Sequence, residues 1–371
     1  MGEIGPYLAV FIIQLIYSGM TLLSKAVFNG GMKTSVFVFY RQLIGAIVMV
    51  PLALIFERKQ AVPVTFSFMT IFKIFMLSLL GITLTLNVHG LALSYTSAML
   101  AAAIVNCLPA STFFFAVLLS KYDYDQLMIY CRMEKVNIRT KSGISKIGSV
   151  LLCMAGVAIL AFYKGPQLQV HHLLSRYHHS NQQHEDHFSY DKKWILGSLL
   201  LFLATIMWSL WLVLQAQLLK SYPSKLTFMS IQSLSSAIQS FFVAIAFERD
   251  IEQWKLGWNM RLLAVVYCGT LVTAVAYYLQ ALVIDKKGPV FPATWNPLSF
   301  IIATIGSVLI LGETLCLGSV LGGILLVLSL YTVLWAKSKE GITNQNSLPI
   351  QAYKECADQV KTDVACSKPP Q

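Results

Sequence analysis

Residues 97–119, SAMLAAAIVNCLPASTFFFAVLL, and residues 289–311, PVFPATWNPLSFIIATIGSVLIL, decide how this chain folds. Neither stretch holds a charged side chain, and each places an Asn close before a Pro: Asn106 with Pro109, Asn296 with Pro297. About 20 mostly apolar residues cross the hydrocarbon of a bilayer as a helix. Both stretches therefore read as membrane spans, each with a break in its middle. Working outward, eight more runs of the same kind appear, near 6–27, 34–56, 68–90, 144–163, 194–219, 226–247, 260–283 and 315–335. The first lacks a basic start and an A-x-A-like exit, so it reads as a span and not as a cleaved signal.

Composition agrees. Of 371 residues, 56% are hydrophobic and 12% charged, about half the charged share of a soluble domain. So few charges cannot cover a water-facing surface, which excludes soluble and disordered classes. The net charge of +11 reads as basic loops on the cytoplasmic side and not as a nucleic-acid footprint. With the N-terminus inside, seventeen Lys and Arg fall in inside segments, eight in outside segments, and Lys25, Arg41 and Lys73 within spans. That bias predicts both termini in the cytoplasm. Seven scattered cysteines without a CxxC pair indicate neither a disulfide framework nor a zinc site.

The two halves repeat. Thr96-Ser97-Ala98 opens the span with Asn106 and Pro109, and Glu134 and a further span ending at Tyr163-Lys164-Gly165 follow. Lys287-Gly288-Pro289 opens the span with Asn296 and Pro297, followed by Gly312-Glu313 and a Gly-rich span ending at Trp335-Ala336-Lys337. Five spans per half is odd, so the second copy starts from the opposite face and lies inverted. The expected fold class is an all-α membrane protein of ten transmembrane helices in two inverted five-helix repeats. Such symmetry supports alternating access around a midplane site; the competing reading is a duplication kept for packing. The expected organisation is a first repeat over 1–163 with an inserted segment at 120–131, a hydrophilic loop at 164–193, a second repeat over 194–335, and a disordered cytoplasmic tail over 336–371.

At these residues the chain resembles the plant nodulin-like, walls-are-thin-related transporters of the EamA (drug/metabolite transporter) superfamily. The strings that carry the resemblance include Tyr17 to Lys25, Tyr40-Arg41, Tyr95 to Ala98, Asn106 to Pro109 and Glu134-Lys135-Val136. Tyr163 to Pro166, Gly288 to Phe291, Asn296-Pro297-Leu298, Gly312-Glu313 and Trp335 to Glu340 continue it, so it covers nearly all of 5–340. It departs at 120–131. The resemblance implies ten helices, a plant membrane, and facilitated movement of small organic solutes such as amino acids or auxin-like compounds.

Polar groups inside spans are expensive and should face a cavity or a partner. No Asp or Glu lies mid-span, which disfavours metal or sodium transport. Arg41 lies seven residues past Thr34, about 10 Å into its span at 1.5 Å per residue. Its guanidinium forks onto a carboxylate, so it is the leading candidate for substrate recognition, against snorkelling or pairing with helix carbonyls. Gln14, Asn87, Asn106, Gln280 and Asn296 supply neutral donors and acceptors, and Trp208 and Trp295, with Tyr277 and Tyr278, an aromatic wall. Interhelical contacts and interface anchoring compete for each of them. His89 reads as a hydrogen-bonded structural residue near a helix end, with proton coupling as the alternative. Glu134 and Glu313 read as capping or gating residues. The loop at 164–193 holds six of the seven histidines, a tract able to bind zinc or nickel, and reads as a solvated loop with no metal site.

The expected function is transport of small organic solutes, amino acids or auxin-like carboxylates, by alternating access through a cavity between the repeats. A nucleotide-sugar or phosphate-ester exchanger is the alternative, and it would want several converging cations. A non-transporting scaffold comes third; no nucleophile, base or metal set suggests an enzyme, and no cofactor is expected. The expected partners are the solute and the bilayer, with a monomeric or homodimeric state, in the plasma membrane or alternatively the vacuolar membrane.

Overall fold

Hydrocarbon offers no hydrogen-bond partners, so a chain crossing it closes its backbone bonds within helices. The computed structural model describes residues 5–57, 68–120, 141–163, 167–168, 187–221, 224–311, 315–318, 320–329 and 331–332. Each of the ten expected spans carries helix there: α1 (Gly5–Asn29), α2 (Thr34–Glu57), α3 (Phe68–Tyr95), α4 (98–120), α5 (Lys141–Phe162), α6 (His187–Ser221), α7 (Lys225–Phe247), α8 (Met260–Lys287), α9 (Val290–Leu311) and α10 (Val320–Ser329). Among the described residues, seven helices are long and apolar enough to cross a membrane. A two-residue antiparallel pair, β1 (Gln167–Leu168) with β2 (Leu315–Cys316), sets Gln167 opposite Cys316. Residues 121–131 of the expected insertion, most of the loop at 164–193, the tail at 336–371, and Glu134 and Glu313 lie outside the described residues.

The helices expose apolar faces and draw polar side chains inward among an apolar core. On α1, Gln14, Ser18, Thr21 and Lys25 recur at helical spacing and are buried, while Leu8, Phe11 and Leu15 are exposed. Lys25 donates from Nζ to the carbonyls of Leu93 and Thr96 at the C-terminal end of α3. A cation there answers the helix dipole and caps carbonyls that the helix leaves open. Small residues let helices approach: a Cβ on Gly156 of α5 would lie 3.1 Å from the Gly322 carbonyl oxygen on α10.

One shift in numbering relates the halves. Phe68 to Met260 and Tyr95 to Lys287 are both steps of 192 residues. The same step carries α1 onto the last 25 residues of α6 and Ala98 onto Val290. It also carries the wider helical turn at Leu79–Leu84, inside α3, onto the end of the one at Cys268–Ala276, inside α8. Helices α2 and α7 correspond under this step and pack together. Ser230 Oγ donates to the Met49 carbonyl at 3.0 Å, while Phe241 stacks on Phe39 with ring centroids 5.3 Å apart. Numbers rise on one helix as they fall on the other, so the two run antiparallel. A repeat whose equivalent helices run in opposite directions is an inverted repeat.

Both decisive stretches are broken. In α4 the helix of Ala98–Ile104 tightens to a 3-10 turn at Val105–Cys107 before resuming at Leu108–Ser120. In α9 the first turn, Val290–Ala293, ends at Thr294 and Trp295, and Asn296 restarts the helix with Pro297 in its first turn, where a missing N–H does no harm. The breaks meet: Asn296 Nδ2 donates to the Val105 carbonyl at 3.2 Å.

Candidate functional site

A cavity opens where the breaks meet. Its wall takes residues from α1, α2, α3 and α4 of the first half and from α6, α8 and α9 of the second. The space open to water centres is about 100 Å³, against the 10–15 Å³ one water needs. A small organic solute fits that scale better than a bare ion.

On one side a relay of amides has its orientation fixed by its ends. Asn296 gives its Nδ2 to the Val105 carbonyl, so its Oδ1 is left to accept, and Gln14 Nε2 donates to it at 3.3 Å. The same Nε2 lies 3.3 Å from the Pro292 carbonyl. Gln14 Oε1 is then a buried acceptor without a partner among the described residues. About one turn further along α1, Tyr17 donates its hydroxyl to Gln280 Oε1 at 2.6 Å, which leaves Gln280 Nε2 a buried donor without a partner among the described residues. An unfilled buried donor or acceptor costs about 1–3 kcal/mol. The wall thus holds one of each, spaced across two halves of the molecule.

Arg41 is the permanent charge of the cavity wall and is 3% exposed. Its Nε donates to Thr273 Oγ1 at 3.3 Å and its Nη2 to the Tyr277 hydroxyl at 3.1 Å. Both partners are neutral, and no described carboxylate pairs with it. A guanidinium has five N–H donors, so three remain for something else. A buried charge without a counter-charge is unfavourable, and an anion in the cavity would supply one.

Trp208 and Tyr277 face the cavity and stack with Trp211 behind them, with centroids 4.6 Å apart for Trp208–Trp211 and 5.8 Å for each ring to Tyr277. Trp211 can sit there because Gly81 opposes it: any Cβ at 81 would overlap the indole ring. Gly45 does the same for Thr273, the residue that holds Arg41. Gly81 and Thr273 lie in the wide turns of α3 and α8 and are one step of 192 apart.

Of the residues singled out in the sequence, the fold brings Arg41, Gln14, Trp208, Gln280 and Asn296 to one cavity, and Tyr277 with them. It does not bring Asn87, Asn106 or Trp295. Asn87 donates back to the Thr83 carbonyl and Asn106 to the carbonyls of Ala102 and Ala103, each within its own helix. Trp295 packs against Tyr7 on the outside of the wall. Sequence reasoning missed Tyr17, although Gln14, Tyr17 and Thr21 share a helical stripe. It read His89 as a hydrogen-bonded structural residue, but His89 lines the cavity and bonds to no described residue through its ring. Glu134 and Glu313 lie outside the described residues, and no described cluster of three His, Cys, Asp or Glu is placed to hold a metal.

Comparison with known proteins fits this geometry. The EamA-like transporter family matches twice, over residues 5–125 and 195–335, the two halves related above. A WAT1-related protein of Arabidopsis thaliana is 49% identical over 98% of this chain and 96% of its own length. Protein WALLS ARE THIN 1 of the same plant is 34% identical over 90% and 83%, and an auxin-induced protein of Pinus taeda 33% identical over 90% and 78%. A solved crystal structure shares the fold at a TM-score of 0.58 and 14% identity, covering 90% of this chain and 98% of the other. With the family matched twice and relatives aligned nearly end to end, the chain belongs to the EamA-like transporters, among the WAT1-related multi-pass membrane proteins of plants.

Proposed function

We propose that this transporter carries small monocarboxylates with an apolar or aromatic body, amino acids or auxin-like acids, by alternating access. The observation that carries the reading is Arg41: a buried cation with three uncommitted N–H bonds, held by neutral partners beside an aromatic wall. A carboxylate accepts two parallel N–H bonds from a guanidinium. The unfilled donor on Gln280 and acceptor on Gln14 complete a set of polar contacts, and Trp208 and Tyr277 receive the flat body. Arg41, Gln14, Gln280, Asn296 and Trp208 form the binding set in this reading. Asn87, Asn106 and Trp295 serve to hold helices, and Glu134 and Glu313 to cap or gate them.

The inverted halves support a moving pathway. The repeats run over 1–163 and 194–335, with the inserted segment, the His-rich loop and the tail as appendages. The basic-residue bias supports cytoplasmic termini, and we assign the protein to the plasma membrane. A phosphate ester is disfavoured because a dianion calls for several converging cations, and the described cavity wall offers only Arg41.

Purified protein in liposomes tests this. Vesicles preloaded with unlabelled indole-3-acetate are expected to take up the labelled solute several-fold faster than empty ones, because a loaded carrier returns faster than an unloaded one. L-tryptophan is expected to compete and a sugar phosphate not. Equal uptake in loaded and empty vesicles, or competition by the sugar phosphate alone, rejects the reading.

A further inference from the structure

Wall positions of the two halves correspond under the step of 192: Ile13 with Thr205, Met20 with Leu212, Thr85 with Tyr277 and Ala101 with Ala293. By that symmetry the two ends of the cavity should close alike, and they do not. Toward the turn between α3 and α4, the last wall residues are Thr21 on α1, His89 on α3 and Ala101 on α4. About one helical turn beyond them, Lys25 reaches from α1 to the carbonyls of Leu93, at 3.0 Å, and Thr96. Lys25, Leu93 and Thr96 are all buried, so this layer seals that end of the cavity. Helix α6 closes on the same turn, where a Cβ on Gly197 would lie 2.6 Å from Thr96 Cγ2. Toward the turn between α8 and α9, the same step puts the neutral Gln217 in the place of Lys25 and Asp285 in that of Leu93. Asp285 pairs with Lys225 of α7, a helix that gives no residue to the wall, and both side chains reach water, 31% and 28% exposed. Across the wall this end is held by rings, Tyr7 against Phe291 and Trp295.

We propose that Lys25 is the latch of one gate: its bonds hold the cavity shut toward the face of the α3–α4 turn, and solute crosses that face only when they break. This rests on the alternating-access reading above. Five spans, α4 to α8, separate the two turns, so they lie on opposite faces and a latch on one turn acts on one face. In the closed state the ammonium gives two of its three donors to carbonyls at the end of α3, which the helix itself leaves open. In the open state water takes those places. The closed state keeps the advantage, because a hydrogen bond to a charged group is worth more than its exchange for water. Methionine has a stem of similar length and donates nothing. In Lys25→Met the closed state therefore buries two acceptors that the open state hydrates, and the balance tips toward opening. The opposite end carries a glutamine at the equivalent place and does not share the effect.

A cysteine in the cavity wall reads the latch without any solute. In the full chain with its native cysteines replaced by serine, Ala102→Cys is labelled by a membrane-impermeant thiol reagent in sealed membrane vesicles of each orientation. The ratio of the two rates, from the face of the α3–α4 turn over the opposite face, follows the ratio of the two open populations. Lys25→Met is expected to raise this ratio about tenfold or more, while Lys25→Arg, which keeps a cation on the two carbonyls, stays near the parent. Gly197→Ala wedges the same turn from α6 and is expected to raise the ratio as well; it decides alone if Lys25→Met does not reach the membrane. A ratio that Lys25→Met leaves unchanged or lowers, or rates that rise equally from both faces, overturns the latch and leaves the carrier reading standing. Labelling of the parent from neither face overturns both.

Discussion

Replacing Arg41 by Gln is expected to raise the half-saturation concentration for indole-3-acetate about ten- to hundredfold and to change that for indole-3-acetamide little. A hydrogen bond to a charged group contributes about 1.5–3 kcal/mol, and the acid and the amide differ only at the group that Arg41 would meet. Glutamine keeps a donor near Thr273 and Tyr277, the two hydroxyls that now hold the guanidinium. The comparison of two solutes on one protein separates recognition from folding, since a misfolded carrier loses both. If the acid and the amide weaken together, or neither does, Arg41 is a structural cation and the solute's charge is met elsewhere.

The second large effect is expected at a residue that touches no solute. Gly81→Ala adds one methyl group where the Trp211 ring lies, and Trp211 is 1% exposed. Overpacking of this kind costs about 1–3 kcal/mol. Here the displaced ring is the one that backs Trp208 and Tyr277, so uptake of indole solutes should fall about tenfold or more with the protein still present in the membrane. Adding Trp211→Leu is expected not to restore the uptake, because leucine keeps the Cβ and Cγ atoms that the new methyl group would also overlap. A single variant with full uptake would show that the aromatic wall is not set by this contact.

What could be read from the sequence, and what could not, divides along physical lines. The spans were legible because hydrocarbon demands long uncharged runs, and all ten carry helix in the described residues. The breaks in α4 and α9 were legible because Asn and Pro mark them. The wide turns in α3 and α8 were not, since Gly81, Thr273 and their neighbours contain no proline and their pattern is that of any apolar helix. The same limit applies to the site. Gln14, Gln280, Asn106 and Asn87 are alike as polar residues in apolar runs. Only rotation about each helix axis decides that the first two reach the cavity while the last two bond back to their own turns. Tyr17 escaped because an aromatic side chain is as ordinary against a helix as against a solute.

The most direct test places a single cysteine at Ala102, a small residue of the cavity wall, in protein whose seven native cysteines are replaced by serine. A membrane-impermeant thiol reagent is expected to label Ala102→Cys from either face of sealed vesicles, and indole-3-acetate to slow labelling from both. Labelling from neither face, from one face only, or at a rate the solute leaves untouched would contradict a solute path running between the two inverted halves.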